Sequence, residues 1–312
     1  MALSVASLTD YTREDITQLL VKAMFSGKTA SLLQGAGQVI PGVKSSQALP
    51  LLSSTVYFQA DGCSNTTSGT TAVTDRDIVV GKVKVFEQLC PKDLETKYTQ
   101  IGLSAGAPVD LGVFQTQIGE EKAAKIAEAI ETAIWQGDTT GGTGNNAFWD
   151  GFLTILSDLG FGGAGDPVKG NVADAFASIT AANIDDIIAA MYSVVPSALL
   201  GRPDLFIAMG TDTFRLFRQW LVSANLFHYD AQEVANLEII DPLTGIKIYG
   251  LHGMDSTNKI VLSYWANFYI GTDMMNEEEA YKFWYSEDDD IVKFKAQFKY
   301  GTQIAFPDQV VY

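Results

Sequence analysis

The sequence predicts an α+β fold, because one strong helix signal and two strong strand signals occupy different parts of its 312 residues. Residues 117–135 carry isoleucines at spacings that are multiples of four, which places these side chains on one side of a helix. Residues 51–88 hold two β-rich runs around a polar centre, which predicts a long hairpin. Residues 293–300 alternate apolar and polar side chains, which predicts a strand with one buried face.

The composition indicates a globular chain with a large core and an acidic surface. Apolar residues make up 47% of the sequence and charged residues 19%, which suits one large domain or two smaller ones. The formal net charge is −16 at pH 7. A surface this acidic repels phosphate, which argues against specific nucleic-acid binding across most of the chain. Residues 1–60 are the exception, with four basic and three acidic side chains.

The cysteine content and the lack of long apolar runs predict a soluble protein made in a reducing cytosol. The two cysteines, Cys63 and Cys90, are too few for a disulfide framework in a chain of this length. No N-terminal segment has the basic and then apolar pattern of a secretion signal. No stretch approaches the roughly 20 apolar residues of a membrane helix, so no membrane contact is predicted.

The N-terminal region is predicted to contain one amphipathic helix followed by extended chain. Apolar side chains recur at three- and four-residue spacing over residues 12–33. Thr12 can cap the start of this helix, and the Gly-Ala-Gly run of residues 35–37 can end it. Pro41 and Pro50 then favour an extended conformation.

The hairpin predicted for residues 51–88 has apolar arms and a polar tip. Residues 55–58 and 78–86 are rich in β-branched and aromatic side chains and form its two arms. Residues 61–75 are rich in Gly, Ser, Thr and Asn, so they cannot pack as a core of their own. A hairpin of this length with a hydrophilic end is expected to project from the domain.

The long helix of residues 117–135 is expected to bury a stripe of isoleucines. It stops at Gly137, and a glycine-rich loop follows. The side chains of the predicted buried stripe are Ile118, Ile126, Ile130 and Ile134. The charged side chains expected on the remaining, exposed sides are Glu120, Glu121, Lys122, Lys125, Glu128 and Glu131.

The second half of the chain is predicted to form an α/β segment and then a return to β-structure. Asn183 caps a helix that reaches residue 194, and a second helix covers residues 211–222. Strands are predicted at residues 205–209, 246–249, 259–264 and 269–271. In the last strand, the side chains expected to be buried are Phe294, Ala296, Phe298 and Tyr300. Those expected on its other, basic face are Lys293, Lys295, Gln297 and Lys299.

The order of these elements resembles that of tailed-bacteriophage major capsid proteins of the Hong-Kong-97-type fold, over essentially the whole chain. The resemblance is carried by residues 126–138 (IAEAIETAIWQGD), 150–153 (DGFL), 269–274 (YIGTDM) and 294–307. It implies five regions. They are an N-terminal arm (1–50), an E-loop hairpin (51–90), a peripheral domain (91–182) with a spine helix (about 117–136), an axial domain (183–275) and peripheral-domain return strands (276–312).

The resemblance also implies a function, which is assembly of an icosahedral shell. Pentamers and hexamers of this one chain would enclose double-stranded DNA without sequence-specific binding. Portal, scaffolding or decoration proteins would be further partners, and the location would be the virion after assembly in the bacterial cytoplasm. No catalytic, cofactor-binding or metal-binding residue is implied. Scaffolding is separate, absent or already removed, because the helix begins near residue 12, and the lysine-free tip (61–75) argues against a covalent crosslink there.

Two other functions remain as alternatives. The first is an encapsulin-type nanocompartment shell, which would hold a cargo enzyme in place of DNA. The second is a serine hydrolase, because residues 102–106 match the G-x-S-x-G elbow with Ser104 as nucleophile, and His228 and His252 follow. The elbow must lead directly into a helix, whereas a Pro- and Gly-containing segment follows here, which favours a loop.

Other motifs in the sequence are predicted to be loops or solvated faces. Residues 160–165 match G-x-G-x-x-G, with Asp185 twenty residues on, but no helix start follows the glycines directly. Residues 26–29 (SGKT) lack the preceding glycine of a phosphate loop. The acidic runs at 277–279 and 288–290 are expected to be solvated, to meet the lysines of residues 293–299 in a neighbour, or to bind a divalent cation weakly.

Overall fold

The structure is a computed structural model, in which the described residues divide between five helices and three β-sheets. It describes residues 27–61, 69–90, 111–163, 165–170, 178–197, 199–226, 236–242, 244–273, 281–286, 289 and 291–312. The helices are α1 (Lys28–Gly35), α2 (Leu111–Gln136), α3 (Phe152–Leu159), α4 (Ile184–Ser193) and α5 (Thr211–Ser223).

The strands belong to a sheet built on β11, a two-stranded hairpin and a sheet built on β5. The β11 sheet contains β1 (Val39–Pro41), β4 (Gly81–Leu89), β9 (Phe268–Thr272), β10 (Tyr281–Ser286) and β11 (Ile291–Ile304). The hairpin consists of β2 (Ser46–Thr55) and β3 (Thr70–Val79). The β5 sheet contains β5 (Leu205–Gly210), β6 (Glu238–Ile240), β7 (Lys247–Leu251) and β8 (Ile260–Tyr264), in the order β6-β7-β5-β8.

The first hydrophobic core lies between helix α2 and strand β11. The 26 residues of α2 make a rod roughly 39 Å long at 1.5 Å per residue. Its predicted stripe is confirmed where side chains are described, since Ile126, Ile130 and Ile134 are all buried. The predicted alternation of β11 is confirmed as well, because its buried side chains join the same core. These side chains are Phe294, Ala296, Phe298 and Tyr300.

The β5 sheet separates this core from a second one. Every residue of β5 is buried, because side chains on both of its faces are covered. Phe206 and Ala208 face the first core, whereas Leu205, Ile207 and Met209 belong to the second core with helices α4 and α5. The helices and strands predicted between residues 183 and 264 are therefore confirmed, with bounds that differ by one or two residues. The strand predicted at 269–271 is β9, which belongs to the β11 sheet and does not close this segment.

The prediction for Glu131 is wrong. Its side chain was expected on the exposed side of α2, but it is only 5% exposed. Glu131 follows Ala127 by four residues and precedes Ile134 by three, so it lies on the buried face of the helix. At this position the helical spacing is a better indicator of burial than the charge.

The arms of the predicted hairpin are also misplaced. Residues 55–58 were expected to form the first arm, but β2 ends at Thr55 and residues 56–58 lie outside any strand. The run of residues 78–86 is divided at Val80 between two strands. β3 pairs with β2, whereas β4 pairs along β11. Val80 donates a backbone hydrogen bond to Ser45 O at 2.9 Å, and the chain then changes sheets.

The predictions near the helix ends are confirmed only in part within the described residues. Helix α1 ends at Gly35 as predicted, but it begins at Lys28 after an extended Gly27, so the continuous helix predicted over residues 12–33 is wrong at this point. Thr12 lies outside the described residues. Asn183 occupies the cap position of α4, with Asp185 and Asp186 in the first turn. Its side chain makes no capping bond and instead accepts hydrogen bonds from Thr180. The division of the chain into five regions remains a prediction.

The buried stripe of α2 generates a stability prediction. Ile130→Asp would bury an unpaired carboxylate at a position that is 2% exposed, which costs about 3–5 kcal/mol. The variant is expected to be insoluble or to unfold at a much lower urea concentration. Ala124→Asp, at an exposed position of the same helix, is the matched control and should behave like the parent. Equal urea midpoints for the two variants would contradict the assignment of this face.

Candidate functional site

The outer part of the β2–β3 hairpin exposes apolar side chains that belong to none of the described hydrophobic cores. Leu52 and Val73, which are Cα partners in the hairpin register, are 66% and 71% exposed. Beyond the end of β2, the side chain of Phe58 is fully exposed. Strands of ten residues extend over roughly 33 Å, so these side chains lie far from the hairpin root. Apolar side chains exposed together in this way mark an interaction surface.

The two faces of the hairpin differ in what they meet at the root. The register places Leu49 and Ile78 on one face, and both are buried. They form a small core with Val43 and Val80, against which Ile40 and Tyr269 pack. The opposite face carries Ala48, Pro50, Leu52, Val73, Asp75, Asp77 and Val79, all exposed. The hairpin is therefore anchored by one face at its base, while its other face is open along its length.

A pair of glycines lets the hairpin root approach the β11 sheet closely. Gly271 in β9 and Gly301 in β11 are Cα partners across the sheet. A Cβ on Gly301 would lie 2.1 Å from Val79 O, and one on Gly271 would lie 2.7 Å from Ile78 Cγ2. Glycine inside a strand is typical of such a close backbone approach. The absence of these two side chains therefore fixes where the hairpin leaves the domain.

A buried carboxylate holds the chain that leads into the hairpin. Asp273 Oδ2 accepts a hydrogen bond from Lys299 Nζ at 2.6 Å, and Lys44 Nζ lies 2.9 Å from Asp273 Oδ1. Burial alone would raise the pKa of Asp273, but the hydrogen bonds and charges of the two lysines outweigh it, so this pKa lies below its ordinary value. The ion pairs therefore tie the segment before β2 to strands β9 and β11.

The buried Glu131 receives the N-terminus of helix α1. Its carboxylate accepts hydrogen bonds from Thr29 N at 3.1 Å and from Thr29 Oγ1. Trp135 Nε1 donates to the same hydroxyl oxygen at 2.8 Å. A carboxylate is favourable at a helix N-terminus, where backbone N–H groups lack partners. Burial raises the pKa of Glu131, although the hydrogen bonds from Thr29 and Ala30 act in the opposite direction.

The neighbouring residue attaches helix α1 to the β5 sheet. Lys28 Nζ donates hydrogen bonds to Asn236 O and to Leu237 O, the latter at 3.2 Å, and lies 3.6 Å from Glu238 Oε1. Its ammonium also lies 5.4 Å from the centre of the Tyr249 ring. Burial lowers the pKa of Lys28 against the opposing charge of Glu238. Helix α1 thus contacts α2 through Thr29 and the β5 sheet through Lys28.

The lysines of β11 were expected on a basic face, and two of them are paired within the chain. Lys293 Nζ pairs with Asp289, and Lys299 Nζ pairs with Asp273. Within one chain both lysines therefore already have an acidic partner, and the expectation that they meet an acidic run of a neighbour stays a prediction. Of the acidic runs, residues 277–279, 288 and 290 lie outside the described residues.

Few of the residues that suggested chemistry fall in the described part of the chain. Ser104 with its G-x-S-x-G motif and His228 lie outside it. His252 lies at the exposed end of β7, with Nδ1 3.3 Å from Asp255 Oδ2. The glycines at 160–163 and 165 are in bends and a turn, and α4 starts only at Ile184. Within the described ranges there is no group of three His, Cys, Asp or Glu side chains that could hold a metal ion.

Among the helices that the structure describes, none combines the length and the apolar composition needed to cross a bilayer.

Several solved capsid structures are similar to this chain over most of its length. The capsid of a native GTA particle is 15% identical, with a TM-score of 0.57 over 91% of this chain and 89% of that chain. The satellite phage P4 procapsid is 12% identical, with a TM-score of 0.54 over 98% of this chain and 94% of that chain. A virus-like particle from Pyrococcus furiosus is 12% identical, with a TM-score of 0.51 over 97% and 99% of the two chains.

The fold is therefore that of phage capsid proteins of the Hong-Kong-97 type. The predicted α+β class and the resemblance drawn from the sequence are both confirmed at this level. No family model matches the chain, and no curated protein matches it by sequence.

The pKa of Glu131 generates a prediction for the pH dependence of stability. Because its folded-state pKa is raised, the folded chain keeps this proton over a pH range in which the unfolded chain releases it. The contribution of Glu131 to the free energy of unfolding should therefore fall as the pH rises from about 4.3 through the folded-state pKa. Glu131→Gln keeps an acceptor for Thr29 and should abolish this component in urea titrations.

Glu131→Ala is the comparison variant, since it leaves the Thr29 donors buried without an acceptor and should cost about 1–3 kcal/mol at every pH. A wild-type minus Glu131→Gln difference that stays constant between pH 4.5 and pH 8 would refute the raised pKa.

The glycine pair generates a prediction about hairpin placement. Gly301→Ala must displace the backbone around Val79, which should destabilise the subunit by about 1–3 kcal/mol and redirect the hairpin. Gly35→Ala is the matched control, because a Cβ there has no atom within 4 Å. Thermal unfolding and limited proteolysis of the hairpin should separate the two variants. A Gly301→Ala subunit as stable and as protease-resistant as Gly35→Ala would show that the approach is not tight.

Proposed function

We propose that this chain is the major capsid protein of a tailed bacteriophage. Copies of it assemble as pentamers and hexamers into an icosahedral shell that encloses double-stranded DNA. Its role in this proposal is structural, without catalysis, and its location is the virion after assembly in the cytoplasm of a bacterial host. The five regions predicted from the sequence, from the N-terminal arm to the return strands, are part of the same proposal.

The observation that carries the proposal is the hairpin, which is firmly attached at its root and open beyond it. The root has its own apolar core, a close glycine contact and the Asp273 ion pairs. The outer part presents exposed Leu52 and Val73, followed by the fully exposed Phe58. A rigidly oriented arm with exposed apolar side chains is suited to gripping a second subunit, which buries what the isolated chain leaves in water. Closed symmetry repeats that contact over a whole shell.

The charge of the chain supports DNA as a contained polymer and not as a sequence-specific ligand. A net charge of −16 opposes tight contact with phosphate over most of the surface, so packaged DNA could move and later leave. Portal, scaffolding or decoration proteins are the further partners in this proposal. The structure of the P4 procapsid includes a size determination protein, so accessory proteins occur with one shell of this fold.

A second candidate is the shell of a protein nanocompartment. It is favoured by the similarity to the virus-like particle from Pyrococcus furiosus, which covers almost all of both chains. Both candidates predict closed particles, and their contents distinguish them. Purified particles that protect DNA from nuclease would favour the phage capsid, whereas particles that contain a co-purifying enzyme and no DNA would favour the nanocompartment.

The hydrolase alternative depends on Ser104. A fluorophosphonate probe that labels the purified chain, and that fails to label Ser104→Ala, would establish it. Absence of labelling would leave the shell function as the proposal.

The hairpin generates the main test of the proposal. In this variant, Asn-Gly replaces residues 53–72. The two new residues form a tight turn between Leu52 and Val73, which are Cα partners in the hairpin. The removed residues contribute no side chain to any described core, so the subunit should stay soluble with near-parental far-UV dichroism. Electron microscopy should show no closed shells, or shells that fall apart on mild heating.

The control carries Ser53→Ala and Ala72→Ser, which exchanges the side chains of one Cα pair within the removed segment and keeps the hairpin at full length. This variant should assemble normally. Particles of the shortened chain that match the parent in yield and heat stability would rule out the gripping role. A shortened chain that does not fold would place the hairpin within the subunit's own core.

A further inference from the structure

One face of the β11 sheet is strongly basic, although the chain as a whole is acidic. The register pairs Phe86 with Lys295, Lys84 with Gln297 and Lys82 with Lys299, so all of these side chains share one face. The other face of the same strands packs toward the core with Val83 and Val85. It also carries Glu87, whose ion pair with Lys122 at 2.6 Å lies on the side of helix α2. The basic face therefore points away from helix α2.

Three lysines of this face have no acidic partner among the described residues. Lys293 and Lys299 are paired with Asp289 and Asp273, but none of the ion pairs in the described part of the chain involves Lys82, Lys84 or Lys295. Lys82 also lies directly across from Lys299, and like charges at paired positions are unfavourable. An external group of opposite charge would relieve this repulsion.

Aromatic side chains lie beside the lysines on the same face. Phe86 is 46% exposed, and its ring centre lies 6.3 Å from that of Trp284 in β10. Lys84 Nζ lies 5.2 Å from the centre of the Phe86 ring. Along β4 the face therefore reads apolar, basic, basic at alternate positions, from Phe86 through Lys84 to Lys82.

The open face of the hairpin carries the complementary pattern. Along β3 it reads apolar, acidic, acidic at alternate positions, from Val73 through Asp75 to Asp77, and all three are exposed. Opposite them in β2 lie Leu52, Pro50 and Ala48, which add apolar surface and no charge. Alternate residues of a strand are roughly 7 Å apart, so the two patterns have the same spacing. No ion pair of Asp75 or Asp77 occurs within the described residues.

We propose that the open face of the hairpin of one subunit docks on the basic face of the β11 sheet of a second copy. Val73 then lies against Phe86, and Asp75 and Asp77 lie against Lys84 and Lys82. This proposal rests on the proposed shell function and specifies which surfaces meet in it. The partner is a second copy because the chain itself carries the acids, the apolar side chains and the spacing that the basic face requires.

Two other occupants of the basic face are outcomes of the test. Lysines on an edge strand can serve only to prevent unwanted strand pairing, and β4 has a free edge in the described part of the chain. A polyanion such as DNA would also be attracted to lysines beside aromatic rings, but the net charge of the chain opposes it over a wider area. Docking of a second copy accounts for the lysines and the aromatic rings without edge protection and without a bound polyanion.

A charge-exchange experiment on the full chain tests the pairing. The first variant carries Lys82→Glu and Lys84→Glu, the second carries Asp75→Lys and Asp77→Lys, and the third combines all four. All four side chains are exposed, so each variant should fold, which far-UV dichroism checks. Glu120→Lys with Glu121→Lys, at exposed positions of α2, is the control for net charge. Light scattering and sedimentation give the subunit concentration at which half of the protein is assembled.

Each two-residue variant should raise this concentration by about tenfold or more, because like charges then face each other. The combined variant should return to within about threefold of the parent, since the pairs are restored in reverse. If either reversed variant does not fold, the neutral set Lys82→Gln with Lys84→Gln and Asp75→Asn with Asp77→Asn replaces it. In that set, the combined variant should lose no more assembly than either half alone.

The pairing is overturned if the combined variant assembles no better than the worse of its two halves. It is overturned as well if the lysine variant assembles like the parent, which would leave the lysines as edge protection. Loss of DNA retention in otherwise normal shells would assign the face to a polyanion and also overturn the pairing. If the parent and the charge control form no closed particles, the proposed shell function itself fails, which is a different result.

Discussion

Backbone pairing along both edges of β11 holds the five-stranded sheet together. One edge of the strand pairs with β4 over nine residues, and the other pairs first with β10 and then with β9. Its buried side chains share one core with the isoleucine stripe of α2, so a single strand joins the sheet to this helix. The glycine contact, the Asp273 ion pairs and the basic face all include a residue of β11. Misplacing this strand would displace each of them.

Apolar side chains are buried in the two cores but exposed on the hairpin. In the two cores they are covered within the chain, and helix α2 is long because it must span the whole of the first core. On the hairpin they are left in water, which costs free energy in the isolated subunit. The chain limits this cost by mixing them with Ser, Thr and Asp along β2 and β3. Covering this surface would release that free energy.

The sequence predicted those parts of the fold in which burial follows a simple period. The isoleucines of α2 and the alternation of β11 have one buried face each, so position along the chain determines which side chains are covered. The predicted position of the first hairpin arm was wrong, because the apolar β-forming side chains of residues 55–58 are typical of a strand. In the structure β2 ends at Thr55, and the fully exposed side chain of Phe58 lies beyond it.

Interactions between distant residues were not accessible from local patterns. Glu131 pairs with Thr29 across 102 positions, and Lys28 reaches Asn236 across 208. Where residues 78–86 divide between two sheets, Ile78 and Val79 lie against Gly271 and Gly301, which are far along the chain. A glycine within a predicted strand, such as Gly271 or Gly301, is the feature of the sequence that indicates a close approach of another backbone segment. Charge was a misleading guide to exposure at Glu131, since a helix end can satisfy a buried carboxylate.

The double attachment of helix α1 has a mechanical consequence. Thr29 is bonded to helix α2 through Glu131, while Lys28, one residue earlier, is bonded to the carbonyl groups at the edge of the β5 sheet. Tension applied to the chain ahead of residue 27 is therefore divided at once between the two cores. Neither attachment bears the whole load, and a pull strong enough to free the helix must break both the buried Thr29–Glu131 contact and the partly exposed Lys28 contacts. A container that swells or is filled under pressure would benefit from an arm fastened in this manner.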